Sequence, residues 1–253
     1  MDLKKYLERI NYKESPDLTY ETLKNLQLLH LRSVPFENLS IHLREPIILQ
    51  YESLFAKIVL NKRGGFCYEL NGLFTALLRQ LGFNVSMLSA GVAKTDGGFG
   101  PDFDHMTLMV LLEDRWLVDV GFGDSFQQPL LIDNREVQVQ ENRSYQIENA
   151  DNYFILKEKK KNGEWITQYR FSLHPYVLSD YSGMCFYHQT SPESDFTKKR
   201  ICTIAKPNGR LTLSNMHFIE TRDNERRERF LKDELEYIQV LEKEFGIPIK
   251  NIK

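Results

Sequence analysis

The sequence predicts an α+β protein on three observations. Apolar residues recur at helical spacing through roughly the first eighty positions. From Phe83 the period changes to two, and short alternating runs follow one another as far as Phe218. A charged amphipathic stretch from about Asn224 to Phe245 then returns to helical spacing.

Each element has its own signature. Tyr20 to Leu31 carries Leu23, Leu26 and Leu29 on one face, with Thr19 as N-cap. The stretch SVPFENLSIHL breaks at Pro35 and is too short and mixed for a helix of its own. Tyr51 to Leu60 resumes with Leu54, Phe55, Ile58 and Val59. After Arg63-Gly64-Gly65-Phe66, where the glycines suit a tight turn, Leu70, Leu73, Phe74, Leu77, Leu78 and Leu81 form one stripe. Gly82 stands where helices often end in a left-handed residue, so Cys67 falls in this helix's first turn. FNVSMLSAGVA, HMTLMVLL, RWLVDVGF, REVQVQ and SYQIEN read as strands. Asn162-Gly163 and Asn208-Gly209 each separate two strand-like runs, a type I′ hairpin signal. In the last helix the apolar face is Phe230, Leu231, Leu235, Ile238, Leu241 and Phe245, stopped by Gly246 and Pro248. The basic run Lys157 to Lys161 reads as the solvated arm of a hairpin, which discourages edge pairing.

Composition narrows the function. At 253 residues with a formal net charge of −2, the chain has no global attraction for nucleic acid or an anionic membrane. No apolar run is long enough to span a bilayer, and the charged start MDLKKYLERINYKESP lacks a secretory signature, so a cytoplasmic protein is expected. The three cysteines, Cys67, Cys185 and Cys202, include no C-x-x-C pair, so no zinc knuckle, redox motif or other metal site is expected. Cys185 and Cys202 lie in strand-like apolar runs and read as small buried hydrophobes.

Cys67 differs by its position. A thiol becomes nucleophilic as thiolate, and the positive end of a helix and a neighbouring imidazolium both favour that form. Of six histidines, His105 opens a strand that pairs with the strand carrying Asp119. A two-residue turn at Glu113-Asp114 would put these two side chains on opposite faces. A three-residue turn of Leu112 to Asp114 pairs 111 with 115 and sets His105 diagonally beside Asp119 on one face. Asp119 sits inside the apolar run Trp116 to Val120, where a carboxylate needs a partner. It meets either backbone amides or an arginine, or it holds the His105 ring; the residues alone leave both open. The chain order Cys67, His105, Asp119 is similar to that of papain-like and transglutaminase-like enzymes.

The surrounding motifs resemble those of the arylamine N-acetyltransferase family of bacterial type. The segments that carry the likeness are Arg63-Gly64-Gly65-Phe66-Cys67-Tyr68-Glu69-Leu70-Asn71, Val34-Pro35-Phe36-Glu37-Asn38-Leu39 and Val118-Asp119-Val120-Gly121-Phe122-Gly123. The resemblance implies a helical domain (1–82) carrying the nucleophile, an antiparallel β-barrel-like domain (83–185) carrying His105 and Asp119, and an α/β lid (186–253). It implies acetyl transfer from acetyl-CoA to small aromatic amines or hydrazines by a ping-pong route, with Cys67, His105 and Asp119 as the catalytic triad. Phe36, Phe122 and Phe126 would line the acceptor pocket, with Asp124 and Phe126 where the family tunes amine selectivity. Gly98, Gly100 and Gly123 would contact the coenzyme; Asp102 and Asp104 add negative charge beside the first two. Arg63 and Glu37 are expected to form a structural ion pair, and Asn71 to bond the upstream loop. A hydrolase with the same triad, and a non-catalytic protein with a merely buried Cys67, are the rival readings.

Overall fold

The computed structural model describes residues 1–141, 143–223 and 225–248. Helices α1 (Leu3–Arg9), α2 (Tyr20–Ser33), α3 (Leu39–His42), α4 (Tyr51–Phe55) and α5 (Cys67–Gln80) occupy the N-terminal third, with strand β1 (Phe36–Glu37) before α3. Thr19 caps α2 as expected, its side chain accepting from the Thr22 amide. The helix expected over 51–60 is continuous, but its second half, Ala56–Leu60, widens into a π turn. Pro35 does break the chain before α3, yet the segment expected to be too short and mixed for a helix of its own forms β1 and a short helix. Helix α5 is buried almost all round: Leu70, Leu73, Phe74, Leu77 and Leu78 are fully covered, and so are Asn71 and Thr75 between them. Gly82, at φ +99°, follows its C-cap.

The larger sheet holds β2 (Asn84–Val92), β3 (His105–Leu111), β4 (Arg115–Val118), β5 (Leu130–Leu131), β6 (Gln138–Gln140), β7 (Arg143–Ala150), β8 (Tyr153–Lys159) and β9 (Trp165–Tyr176). Its order is β5-β4-β3-β2-β9-β8-β7-β6, so β5 and β6 are its two edges. Glutamine side chains lace these edges into a nearly closed barrel. Gln138 accepts from the Leu131 amide at 2.8 Å and donates to its carbonyl at 3.0 Å. Gln140 accepts from the Gln127 and Gln128 amides and donates to the Gln128 carbonyl. A side-chain amide carries the same donor and acceptor as a peptide, so it completes an edge that backbone pairing leaves open.

A 3₁₀ turn (Leu178–Tyr181) and helices α6 (Ser182–Thr190) and α7 (Asp195–Lys198) lead to the second sheet. It comprises β10 (Ile201–Lys206), β11 (Gly209–Ser214), β12 (His217–Arg222) and β13 (Glu225–Phe230), with β1 added against β10. Helix α8 (Glu234–Phe245) covers it through Tyr237, Val240, Leu241 and Phe245. Gly246 ends α8 at φ +66°.

Several sequence expectations are corrected. The tail helix is shorter, because residues 225–230 form strand β13 and Phe230 and Leu235 are exposed; Asn224 lies outside the described residues. Cys185 lies in α6, whereas Cys202 is in strand β10; both are buried. Neither hairpin turns on its Asn-Gly pair alone. Lys159 pairs with Trp165 across a five-residue loop, and Lys206 pairs with Gly209, leaving Pro207-Asn208 as the turn. Among the described residues no helix is long and apolar enough to cross a membrane.

Candidate active site

Cys67 opens α5 and is 3% exposed. Glu69 braces that opening turn, accepting from the Phe66 amide at 3.2 Å and from Lys57 Nζ at 2.7 Å. Gly121 packs directly on it: a Cβ built there would lie 2.7 Å from the Cys67 Cα, so only glycine lets the two segments meet. Burial pushes the Cys67 thiol well up; the Met106 amide, which reaches the sulfur, pulls it down, and Asp119, Cys185 and Asp104 add to the rise. A thiol in this setting ionises only if a cation forms beside it.

A histidine and an aspartate meet on the neighbouring strands. Strands β3 and β4 pair Leu111 with Arg115 across the three-residue turn Leu112 to Asp114. That register carries His105 and Asp119 to one face, and His105 Nε2 lies 2.7 Å from Asp119 Oδ2. Asp119 Oδ2 also accepts from the Tyr169 hydroxyl at 3.1 Å, while Oδ1 accepts from Asn71 Nδ2 at 2.9 Å and the Gly121 amide at 2.8 Å. Burial alone would raise the Asp119 carboxyl, but the His105 ring and the hydrogen bonds outweigh it and hold it below its ordinary value. The carboxylate therefore favours its ionised form and is fixed against the His105 ring. Of the partners the residues left open, Asp119 has both the ring and one backbone amide, and among the described residues no arginine bonds it.

Aromatic rings surround the site. Phe122 meets the His105 ring at 5.2 Å and the Tyr169 ring at 5.1 Å. Phe36 is half-buried against Phe196, with Gly123 alongside. Phe126, 1% exposed, packs on Tyr145 in the barrel core.

The N-acetyltransferase family profile matches residues 19–253. The Escherichia coli arylamine N-acetyltransferase is 32% identical, over 99% of this chain and 90% of its own length. The chain belongs to the arylamine N-acetyltransferase family. The Salmonella typhimurium arylamine N-acetyltransferase structure superposes with a TM-score of 0.93 at 30% identity, over 99% of this chain and 93% of that one. The Mycobacterium marinum arylamine N-acetyltransferase, solved in complex with CoA, gives 0.90 at 29% identity, over 97% of this chain and 93% of that one.

Within this member of the arylamine N-acetyltransferase family, sequence reasoning gave Asn71 the wrong partner and missed Tyr169. Asn71 does not bond the upstream loop. It donates to the Met106 carbonyl at 2.6 Å and to Asp119, and its Oδ1 accepts from the Val120 amide at 2.9 Å. Its place one helical turn beyond Cys67 was the available signal. Tyr169, which also bonds Thr107 at 3.2 Å, comes from β9, distant in sequence, and carries no local signal. The Arg63–Glu37 pair is present at 3.0 Å and fully buried on the Glu37 side.

The glycine loop departs from expectation. The Gly98 amide donates to Asp96 Oδ1 at 2.9 Å and the Gly100 amide to the Val92 carbonyl at 2.7 Å. The Asp104 carboxylate fills the space beside Gly100. Neither of these amides is left for a phosphate, and the nearest side chains are anionic. Gly123, at φ +90°, serves a turn between Phe36 and Thr203.

Proposed function

We propose that this protein moves an acetyl group from acetyl-CoA to the nitrogen of an arylamine or hydrazine, through an acetyl-Cys67 intermediate. The observation that carries the reading is the buried 2.7 Å contact between His105 Nε2 and Asp119 Oδ2, two residues before the Gly121 that packs against Cys67 at the start of α5. With Nε2–H held by the carboxylate, Nδ1 is the ring nitrogen left to exchange a proton with the sulfur. Membership of the family and its CoA-bound relative support acetyl-CoA as the donor.

The steps follow from these residues. His105 takes the Cys67 proton, and the sulfur attacks the thioester carbonyl. The Cys67 and Tyr68 amides open the helix, where no intrahelical carbonyl can satisfy them, and they face the developing oxyanion. The bond to the coenzyme sulfur breaks, and the proton on His105 goes to the departing thiolate. The amine then attacks acetyl-Cys67, His105 accepts the proton from nitrogen, and Cys67 leaves as thiolate. Phe36 and Phe122 supply flat apolar surface for an aromatic acceptor and exclude water from the thioester. A nucleophile that must stay reduced, with all three cysteines free, fits a cytoplasmic setting.

Intact-protein mass spectrometry tests the scheme. Acetyl-CoA alone should leave one acetyl group, mapped to the Cys67 peptide, and a later addition of arylamine should remove it. An enzyme that forms no adduct yet turns over only with both substrates present would refute the covalent route.

A further inference from the structure

A second histidine–carboxylate pair stands one residue from the first. His188, on α6, is buried, and its Nε2 lies 3.4 Å from Oδ1 of Asp104, the residue before His105. That approach is an ion-pair distance rather than an aligned hydrogen bond. The other Asp104 oxygen, Oδ2, accepts from the Val92 amide at 3.2 Å. On the far side of the ring, His188 Nδ1 is 3.0 Å from Oγ of Ser194, the N-cap of α7. That oxygen already accepts from the Phe196 amide and has a second lone pair for an imidazolium N–H. The surroundings suit a charged ring, with a hydroxyl to accept from Nδ1–H and a carboxylate facing Nε2–H.

Tethers join this pair to the reacting groups. The Tyr68 ring stacks on His188, with centroids 6.1 Å apart and planes 28° apart, and Tyr68 follows Cys67 in α5. Its hydroxyl donates to the Phe103 carbonyl at 2.6 Å and to the Asp104 carbonyl at 3.2 Å. Phe103 is left-handed at φ +65°, a strained conformation for a residue with a side chain, and its amide donates to Ser89 Oγ at 2.7 Å. The turn that delivers His105 to β3 is therefore held by contacts from other elements. Asp104 is also one of the charges that push the Cys67 thiol up, so a carboxylate left without a counter-charge there works against the thiolate.

We propose that His188 is a positioning residue for the transfer reaction: held between Ser194 and Asp104, its imidazolium offsets the Asp104 carboxylate and fixes the turn from which His105 enters β3. The inference rests on the acetyl-transfer reading above and extends its machinery from the triad to α6. His188 acts through Asp104 and Tyr68.

Iodoacetamide labelling of Cys67 at pH 6 tests this on the wild type, His188→Gln, Asp104→Asn and the double variant, each checked for fold by circular dichroism. Glutamine keeps much of the bulk and hydrogen bonding of the ring but not its charge. His188→Gln should label about fivefold more slowly, the order expected of one partly buried charge without a partner. Asp104→Asn should label at least as fast as wild type, and adding it to His188→Gln should bring the rate back to within about twofold of wild type. A His188→Gln rate within about twofold of wild type would overturn the proposal. So would a double variant as slow as His188→Gln, because His188 would then act by packing alone. Should His188→Gln fail to fold, Asp104→Asn decides alone: a rate at or above wild type supports the offset charge, and one more than about threefold lower contradicts it. Acetylation of wild-type Cys67 by acetyl-CoA is scored separately. Its absence would remove the transfer reading, and the labelling rates would still decide the role of His188.

Discussion

Asn71→Ala should damage both stability and chemistry, by an amount the structure sets. Asn71 is fully buried and makes three hydrogen bonds, to the Met106 carbonyl, Asp119 Oδ1 and the Val120 amide. Truncation leaves each of those groups short of a partner, at about 1–3 kcal/mol apiece, so a total on the order of 4 kcal/mol follows after partial relaxation. For a chain of this size each kcal/mol moves Tm by roughly 2–4 °C, which predicts a fall of about 10 °C in a thermal melt. The chemical effect is separate. Asp119 keeps its contacts with Gly121, His105 and Tyr169 but loses the one that ties it to the nucleophile's own helix. A shift of about 1 Å between imidazole and sulfur is enough for a loss on the order of 10²-fold in kcat/KM. The assays are circular dichroism melting and acetyl transfer to an arylamine, both well below the variant's Tm. A variant within about 1 °C of the wild-type Tm and within about twofold of its activity would refute the claim that Asn71 locks the triad.

Three further outcomes follow. Tyr169→Phe removes one donor from Asp119 Oδ2 while keeping the ring against His105 and Phe122, so kcat/KM should fall about tenfold at a cost of roughly 1–2 kcal/mol in stability. With one donor fewer the Asp119 carboxyl rises, and the acid limb of the pH–rate profile should move to higher pH; an unmoved limb would argue that the hydroxyl is only structural. His30 is buried between Tyr6 and Phe74, and burial, then Arg9, pull it from 6.5 down to about 3. A lowered histidine value means its share of stability is complete above 6.5 and is lost as pH falls from there toward 3. A His30→Gln variant should therefore lose less Tm than wild type between about pH 7 and pH 4.5, and parallel losses would count against the assignment. Finally, Glu37→Gln leaves Arg63 buried beside a neutral group and should cost about 3–5 kcal/mol in chemical denaturation; a change below about 1 kcal/mol would show the pair to be dispensable.

What the sequence revealed, and what it hid, divides along physical lines. Helix α5 and strands β2 to β4 were legible from the apolar periodicity of their sequences, although burial reaches beyond one face: α5 is covered almost all round and β3 on both sides. The three-residue turn was legible only because the chemistry demanded that His105 and Asp119 share a face, which the observed 111–115 pairing satisfies. Strand β13 was hidden. Its residues, Glu-Arg-Arg-Glu-Arg-Phe, are exposed throughout at a sheet edge, so no apolar alternation marked it and the following helical pattern absorbed it. The Asn208-Gly209 turn was displaced by one residue because Pro207 occupies the turn and Gly209 pairs with Lys206. Gln138 and Gln140 close the barrel by contacts that no local pattern encodes. Asn71 and Tyr169 belong to the same kind: their roles arise from Asp119, some fifty residues away from each in the chain.

Alkylation of Cys67 by iodoacetamide, followed by peptide mapping across pH, tests the central claim most directly. Burial alone holds the thiol protonated, so fast labelling near pH 6 requires the imidazolium to stabilise the thiolate. The wild type should label rapidly there, and His105→Ala should slow it at least tenfold, with Asp119→Asn in between. A wild-type rate that rises only near the ordinary thiol range and is indifferent to both substitutions would contradict the account.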